Sequence, residues 1–111
     1  MKKLMLVVAL GLSVPASALA ATWDNVSLID KMCSGKFASN PDAHPTSCLL
    51  KCASSGYGIV TDGKWVKLDK AGNEKALAAL KATSKKDHIR VNVTGEMKGD
   101  EIAVSTLTIP Q

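Results

Sequence analysis

Four side chains in this sequence stand out for their chemistry. They are Cys33, His44, Cys48 and Cys52, spaced C-x10-H-x3-C-x3-C. Three sulfurs and one imidazole form an accepted tetrahedral set for Zn(II), and soft thiolates also suit Cu(I). The spacing differs from the common C-x2-C finger, so the residue types carry the metal reading rather than the motif. Two other chemistries use the same residues. A disulfide from Cys33 to Cys48 or to Cys52 would staple a small domain and leave one thiol over. Thiol redox exchange, or a disulfide to a partner, is the third reading, because an odd cysteine in an exported chain needs a fate. A thiol near a helix start has its pKa lowered. No C-x2-C and no thioredoxin-like βαβ pattern accompanies it.

The surrounding elements must bring these residues together. Pro45 to Ser54 (PTSCLLKCAS) reads as a short helix, with Pro tolerated in its first turn and Gly56 suited to its end. Cys48 and Cys52 then lie one turn apart on one face, and His44 extends the same stripe. A bond between Cys48 and Cys52 inside one regular helix is disfavoured, because the helix fixes both side-chain directions. Thr22 to Asp30 reads as a first strand, with Cys33 at its end. Ser34 to Pro45, rich in Gly, Ser, Asn and Pro, reads as the loop that returns the chain.

Beyond this segment the pattern turns to strands. Tyr57–Thr61 and Lys64–Leu68 flank Asp62-Gly63, a strong signal for a tight hairpin. Asn73 to Thr83 carries Ala76, Leu77 and Leu80 at helical spacing, with Asn73 as its expected cap. Ile89, Val91 and Val93 alternate with polar residues in a half-buried strand that His88 begins. In the last strand Ile102 and Val104 share one phase and Leu107 and Ile109 the other, which predicts a bulge or sharp bend. The predicted fold is mainly β, within the α+β class. It is a five-stranded OB-like barrel with one helix between strands 3 and 4 and a short Cys-bearing helix between strands 1 and 2.

The N-terminus reads as an export signal. Lys2 and Lys3 precede the apolar run Leu4 to Leu12, Pro15 breaks it, and Ala18-Leu19-Ala20 offers a cleavage site. The run is about half the roughly 20 apolar residues that span a bilayer. Residues 1–20 are therefore expected to be a cleaved signal peptide. Residues 21–111 are expected to be a single domain, periplasmic or secreted, without a membrane span. The leader carries two lysines and no acid, so its removal takes the chain from 111 residues to 91 and the net charge from +4 to +2. That weak charge argues against a nucleic-acid partner, as does the 4% aromatic content. Lys81, Lys85, Lys86 and Arg90 could form a basic patch, with Trp65 and Tyr57 as its only stacking platform. A solvated turn accounts for them more simply. No Ser/His/Asp constellation, phosphate loop or C-x-x-C-H haem motif is present, so no catalytic residue is assigned.

The chain resembles a group of small exported bacterial proteins of uncharacterised function. The resemblance lies in Asp30-Lys31-Met32-Cys33 and in His44-x3-Cys48-x3-Cys52. It continues through Gly56, the hairpin Thr61 to Asp69 (TDGKWVKLD) and the closing hairpin Val91 to Leu107. It implies a small β-barrel domain with a cysteine-bearing insertion, and no particular activity. The expected function is a non-catalytic binding module holding a soft metal through Cys33, His44, Cys48 and Cys52. A disulfide-stapled structural or protein-interaction domain is the alternative, and a thiol redox protein the next.

Overall fold

A computed structural model describes residues 20–37 and 39–110. The predicted leader, apart from Ala20, lies outside them. The chain is mixed α+β. Five strands, β1 (Ala21–Asp30), β2 (Tyr57–Thr61), β3 (Lys64–Leu68), β4 (Arg90–Lys98) and β5 (Glu101–Thr108), form one sheet. Helices α1 (Ser34–Phe37) and α2 (Thr46–Lys51) lie between β1 and β2, and α3 (Lys70–Ala82) lies between β3 and β4. The sheet closes in a ring in the order β1-β2-β3-β5-β4. Every contact is antiparallel except the short one between β3 and β5, where Lys67 and Leu68 face Glu101 and Ile102.

The local sequence explains how the ring bends. Asp62 (φ 51°) and Gly63 (φ 75°) both take left-handed backbone, the turn that matches the twist of a two-residue hairpin. Thr61 thus pairs with Lys64. Between β4 and β5 the register slips, so that Thr94 faces Thr106 but Gly95 faces Val104. Ile102, Val104 and Leu107 are buried while Ser105 and Thr106 are exposed, which is the phase change the sequence predicts. Gly95 belongs to this bend, because a Cβ there would sit 2.2 Å from the Ala103 carbonyl oxygen. A second irregularity, at Asn25 (φ 55°) between Trp23 and Val26, lets β1 pair with β4 along its first half and with β2 along its second.

Four sequence expectations need correction. The long helix starts at Lys70 rather than Asn73, because Asp69 caps it by accepting from the Gly72 amide at 2.8 Å. Gly72 lies inside the helix, where a Cβ would meet Val104 Cγ2 at 2.5 Å. Asn73 instead donates to the Leu68 and Asp69 carbonyls and accepts from the Tyr57 amide, which ties α3 to β2. The Cys-bearing helix is shorter than Pro45 to Ser54. It ends at Lys51, where Cys52 leaves helical geometry (φ −100°, ψ 22°), and a 3-10 turn follows over Ala53–Ser55. The predicted loop contains α1 and a 3-10 turn at Pro41–Ala43. His88 (φ 54°) lies before β4 rather than in it.

The core fills the ring and the space beneath α3. Leu28, Ile59, Val91, Val93 and Ile102 meet Ala76 and Leu80 of that helix. This burial is the main favourable contribution to folding. It also holds the end of β1 and the start of β2 side by side, with Asp30 opposite Tyr57. The connection between them carries all three cysteines.

Candidate functional site

The site is organised around Asp30, the last residue of β1, whose side chain is fully buried. Leu28, Ile29 and Asp30 are consecutive and all buried, so the strand's alternation stops at this carboxylate. Its Oδ2 accepts from the Cys33 amide at 3.0 Å and caps the 3-10 turn Lys31–Cys33. Its Oδ1 lies 2.7 Å from His44 Nε2. A buried carboxylate needs such partners, because desolvation without them is costly. Cys33 is therefore placed three residues beyond the strand end, on a turn fixed by Asp30.

His44 is 1% exposed. Its ring stacks on Phe37 with centroids 4.4 Å apart. Its Nδ1 is buried and has no hydrogen-bond partner among the described residues. The connection as a whole is anchored from the far side of the fold. Arg90 of β4 makes a two-pronged contact with Asp42, at 3.2 and 2.9 Å. The Thr46 amide and hydroxyl each donate to a carbonyl of the segment before β4, those of Lys86 and Lys85, at 2.8 Å.

These anchors bring together a ligand set different from the expected one. Ligand atoms of Asp30, Cys33 and Cys52 all lie within 4.8 Å of one another. Two of the four predicted residues, Cys33 and Cys52, belong to this group. His44 does not: it faces Asp30 and so acts through it. Cys48, one turn earlier in α2, also stands outside the group. Its carbonyl accepts from the Cys52 amide at 3.0 Å. All three cysteines are free thiols and half-buried, so neither predicted disulfide, Cys33 to Cys48 or Cys33 to Cys52, is formed in this structure. Asp30 is the residue that metal-ligand spacing misses. Its signal was an acid at the end of an apolar strand, three residues before a cysteine, where a turn cap belongs.

The electrostatics follow from this crowding. Desolvation raises the Cys33 thiol above its ordinary pKa, and the charges of Asp30 and Cys52 add to the effect. Tyr57 is pushed up to about 12, first by burial and then by Asp30 and Cys52. Its hydroxyl donates to the Leu49 carbonyl at 2.7 Å, which fixes α2 against β2. A bound cation would offset the negative charges that disfavour the Cys33 thiolate, so the set can accept a positive ion in exchange for thiol protons.

The other candidates lie apart. Lys81, Lys85 and Lys86 border a cleft of about 390 Å³ floored by Leu50 and Leu80. Tyr57 is buried, and the Trp65 indole donates to the Ile29 carbonyl at 2.9 Å, so neither joins those lysines as a stacking platform. Exposed His88 bonds its neighbour Asp87 at 2.7 Å. No helix among the described residues is long and apolar enough to cross a membrane. Comparison of the chain with protein-family models, with curated proteins and with solved structures finds no match.

Proposed function

We propose that this chain is an exported, non-catalytic binding module that holds a soft metal ion, Zn(II) or Cu(I), on Cys33, Cys52 and Asp30. The observation that carries the reading is the approach of those three ligand atoms to within 4.8 Å of one another. Two thiolates favour a soft ion, and a carboxylate oxygen is an accepted third ligand for zinc. His44 fits the role of an outer partner that orients the ligating carboxylate, because its Nε2 is 2.7 Å from Oδ1. Cys48, one turn before Cys52, is our candidate for a fourth ligand.

The scaffold we infer is an OB-like barrel. The ring order and the parallel contact between β3 and β5 support it, as does a helix between the third and fourth strands. Export is supported by the charged start, apolar run and small-residue cleavage pattern of residues 1–20. Kinship with the small exported bacterial proteins that the chain resembles rests on Asp30-Lys31-Met32-Cys33, His44-x3-Cys48-x3-Cys52, Gly56 and the two hairpins.

Metal content after anaerobic purification tests the proposal. The wild-type protein should carry, or take up, about one equivalent of Zn(II) or Cu(I). Cys33→Ser and Cys52→Ser should each abolish tight binding, and Cys48→Ser should weaken it less. A wild-type protein that is isolated free of metal and also fails to bind added Zn(II) or Cu(I) refutes the reading.

A further inference from the structure

The two sulfurs that would hold the ion are also placed to bond each other. We propose that Cys33 and Cys52 form a redox pair whose closure into a disulfide ejects the metal, leaving Cys48 as the single free thiol. This inference rests on the metal-binding reading of Cys33, Cys52 and Asp30.

Geometry selects this pair over the other two. The Cys33 and Cys52 sulfurs lie within 4.8 Å, and a disulfide needs about 2.05 Å, so a shift of under about 3 Å closes it. Cys52 is the residue at which α2 gives way to a 3-10 turn, and its amide and carbonyl are bonded to the Cys48 carbonyl and the Ser55 amide, so the shift is one of side-chain rotation. Cys48 is inside α2. A Cys48–Cys52 bond would join residues that the hydrogen bond from the Cys52 amide to the Cys48 carbonyl keeps at helical spacing, with Cβ atoms about 5–6 Å apart against the 3.5–4.5 Å that a disulfide requires. Cys48 is also the thiol outside the convergent group, so a Cys33–Cys48 bond would need a larger rearrangement of the connection. Closure of the selected pair consumes two of the three ligands and leaves Asp30, already held by His44 and the Cys33 amide.

The chemistry needs an external disulfide as oxidant, such as oxidised glutathione. One thiolate of the pair attacks a sulfur of that disulfide, forming a mixed disulfide and expelling one glutathione thiolate. The second protein thiolate then attacks the protein sulfur of the mixed disulfide. The Cys33–Cys52 bond forms and the second glutathione thiolate leaves. The protein pair is oxidised by two electrons and one glutathione disulfide is reduced to two thiols. The two protons these take up come from the protein thiols, or from solvent when the thiolates were metal-bound.

Oxidised glutathione added to the reduced, zinc-loaded full chain tests the switch, with released zinc read by a chromogenic chelator. Intact mass and alkylation of the same samples identify the bond. Bound zinc should fall from about one equivalent to near none. The mass of the metal-free protein should drop by two hydrogen atoms, and peptide mapping should find Cys33 joined to Cys52 and Cys48 alkylated. Dithiothreitol should restore zinc uptake, and Cys48→Ser, which binds zinc more weakly, should still close the Cys33–Cys52 bond with no thiol left over. A persistent mixed disulfide, a Cys33–Cys48 bond, or zinc retained after the pair closes would overturn the proposal. A reduced protein that closes the pair but never binds zinc refutes the metal reading and the switch together, and leaves a plain staple.

Discussion

Residues 31–56 and the ring that they interrupt bury different chemistry. Among the described residues of that connection, Leu49 is the one large apolar side chain fully inside, accompanied by His44 and Thr46. The strands and α3 bury Leu28, Ile59, Leu80, Val91, Val93 and Ile102. Non-directional apolar burial therefore holds the ring, while directional contacts hold the connection: His44 to Asp30, Arg90 to Asp42, Thr46 to the segment before β4, and Tyr57 to Leu49. Apolar packing tolerates no ligand chemistry, because each polar group placed in it must find a partner. The polar connection already positions carboxylate, imidazole and thiols by hydrogen bonding. The reactive set therefore sits where the fold has the least apolar burial.

Substitutions on each side should separate the two regimes. Ile102→Ala, in the ring, should cost about 3 kcal/mol and lower the urea midpoint of the whole chain without changing its slope. A loss confined to the connection would contradict the assignment of global stability to the ring. Asp30→Ala should cost about 2 kcal/mol, because it strips the partner from His44 Nε2 and the cap from the Cys33 turn. Its signature is local: amide protection should drop across residues 31–56 while β4 and β5 keep theirs, as hydrogen exchange will show. Equal loss in β4 would mean that the connection and ring unfold as one unit.

Asp42→Asn should cost about 1 kcal/mol, since the pair with Arg90 is partly exposed. Its pH dependence has a definite sign. The hydrogen bonds and charge of Arg90 hold the Asp42 carboxyl below its ordinary pKa. Its contribution is thus complete above the ordinary carboxylate pKa and disappears as the pH falls through the lowered value. Wild type and Asp42→Asn should therefore differ in stability at neutral pH and converge in acid, by denaturant melts across that range. The smallest effect is kinetic. Because burial and then Asp30 raise the Cys33 pKa, iodoacetamide should alkylate this thiol more slowly than an unstructured cysteine at neutral pH. The rate should climb as the pH rises, and Asp30→Asn should increase it at neutral pH. An unchanged rate in Asp30→Asn would show that the carboxylate does not govern the thiol.

Much of the ring was legible along the chain. The Asp62-Gly63 hairpin matches its expected strands residue for residue, because both its period and its turn are local properties. The phase change after Val104 marked the β5 bulge for the same reason. The cap of α3 was misread: Asp69 takes that role, while Asn73, the expected cap, is used in the contact with the Tyr57 amide. At the site, the sequence supplied the residue types and brought Cys33 and Cys52 into consideration. It did not reveal Asp30, whose burial depends on β2 and His44 closing over it.

By itself, then, the sequence determined the strands, the hairpins, the bend in β5 and the concentration of thiols between β1 and β2. Each follows from side-chain period or turn chemistry within a few residues. Only the tertiary structure decided which of those groups meet. Cys33 and Cys52 are separated by several short turns whose directions are set by Arg90, Lys85 and Lys86, more than thirty residues away. No periodicity spans that distance. The same remote anchors turn His44 toward Asp30 and leave Cys48 outside the convergent group.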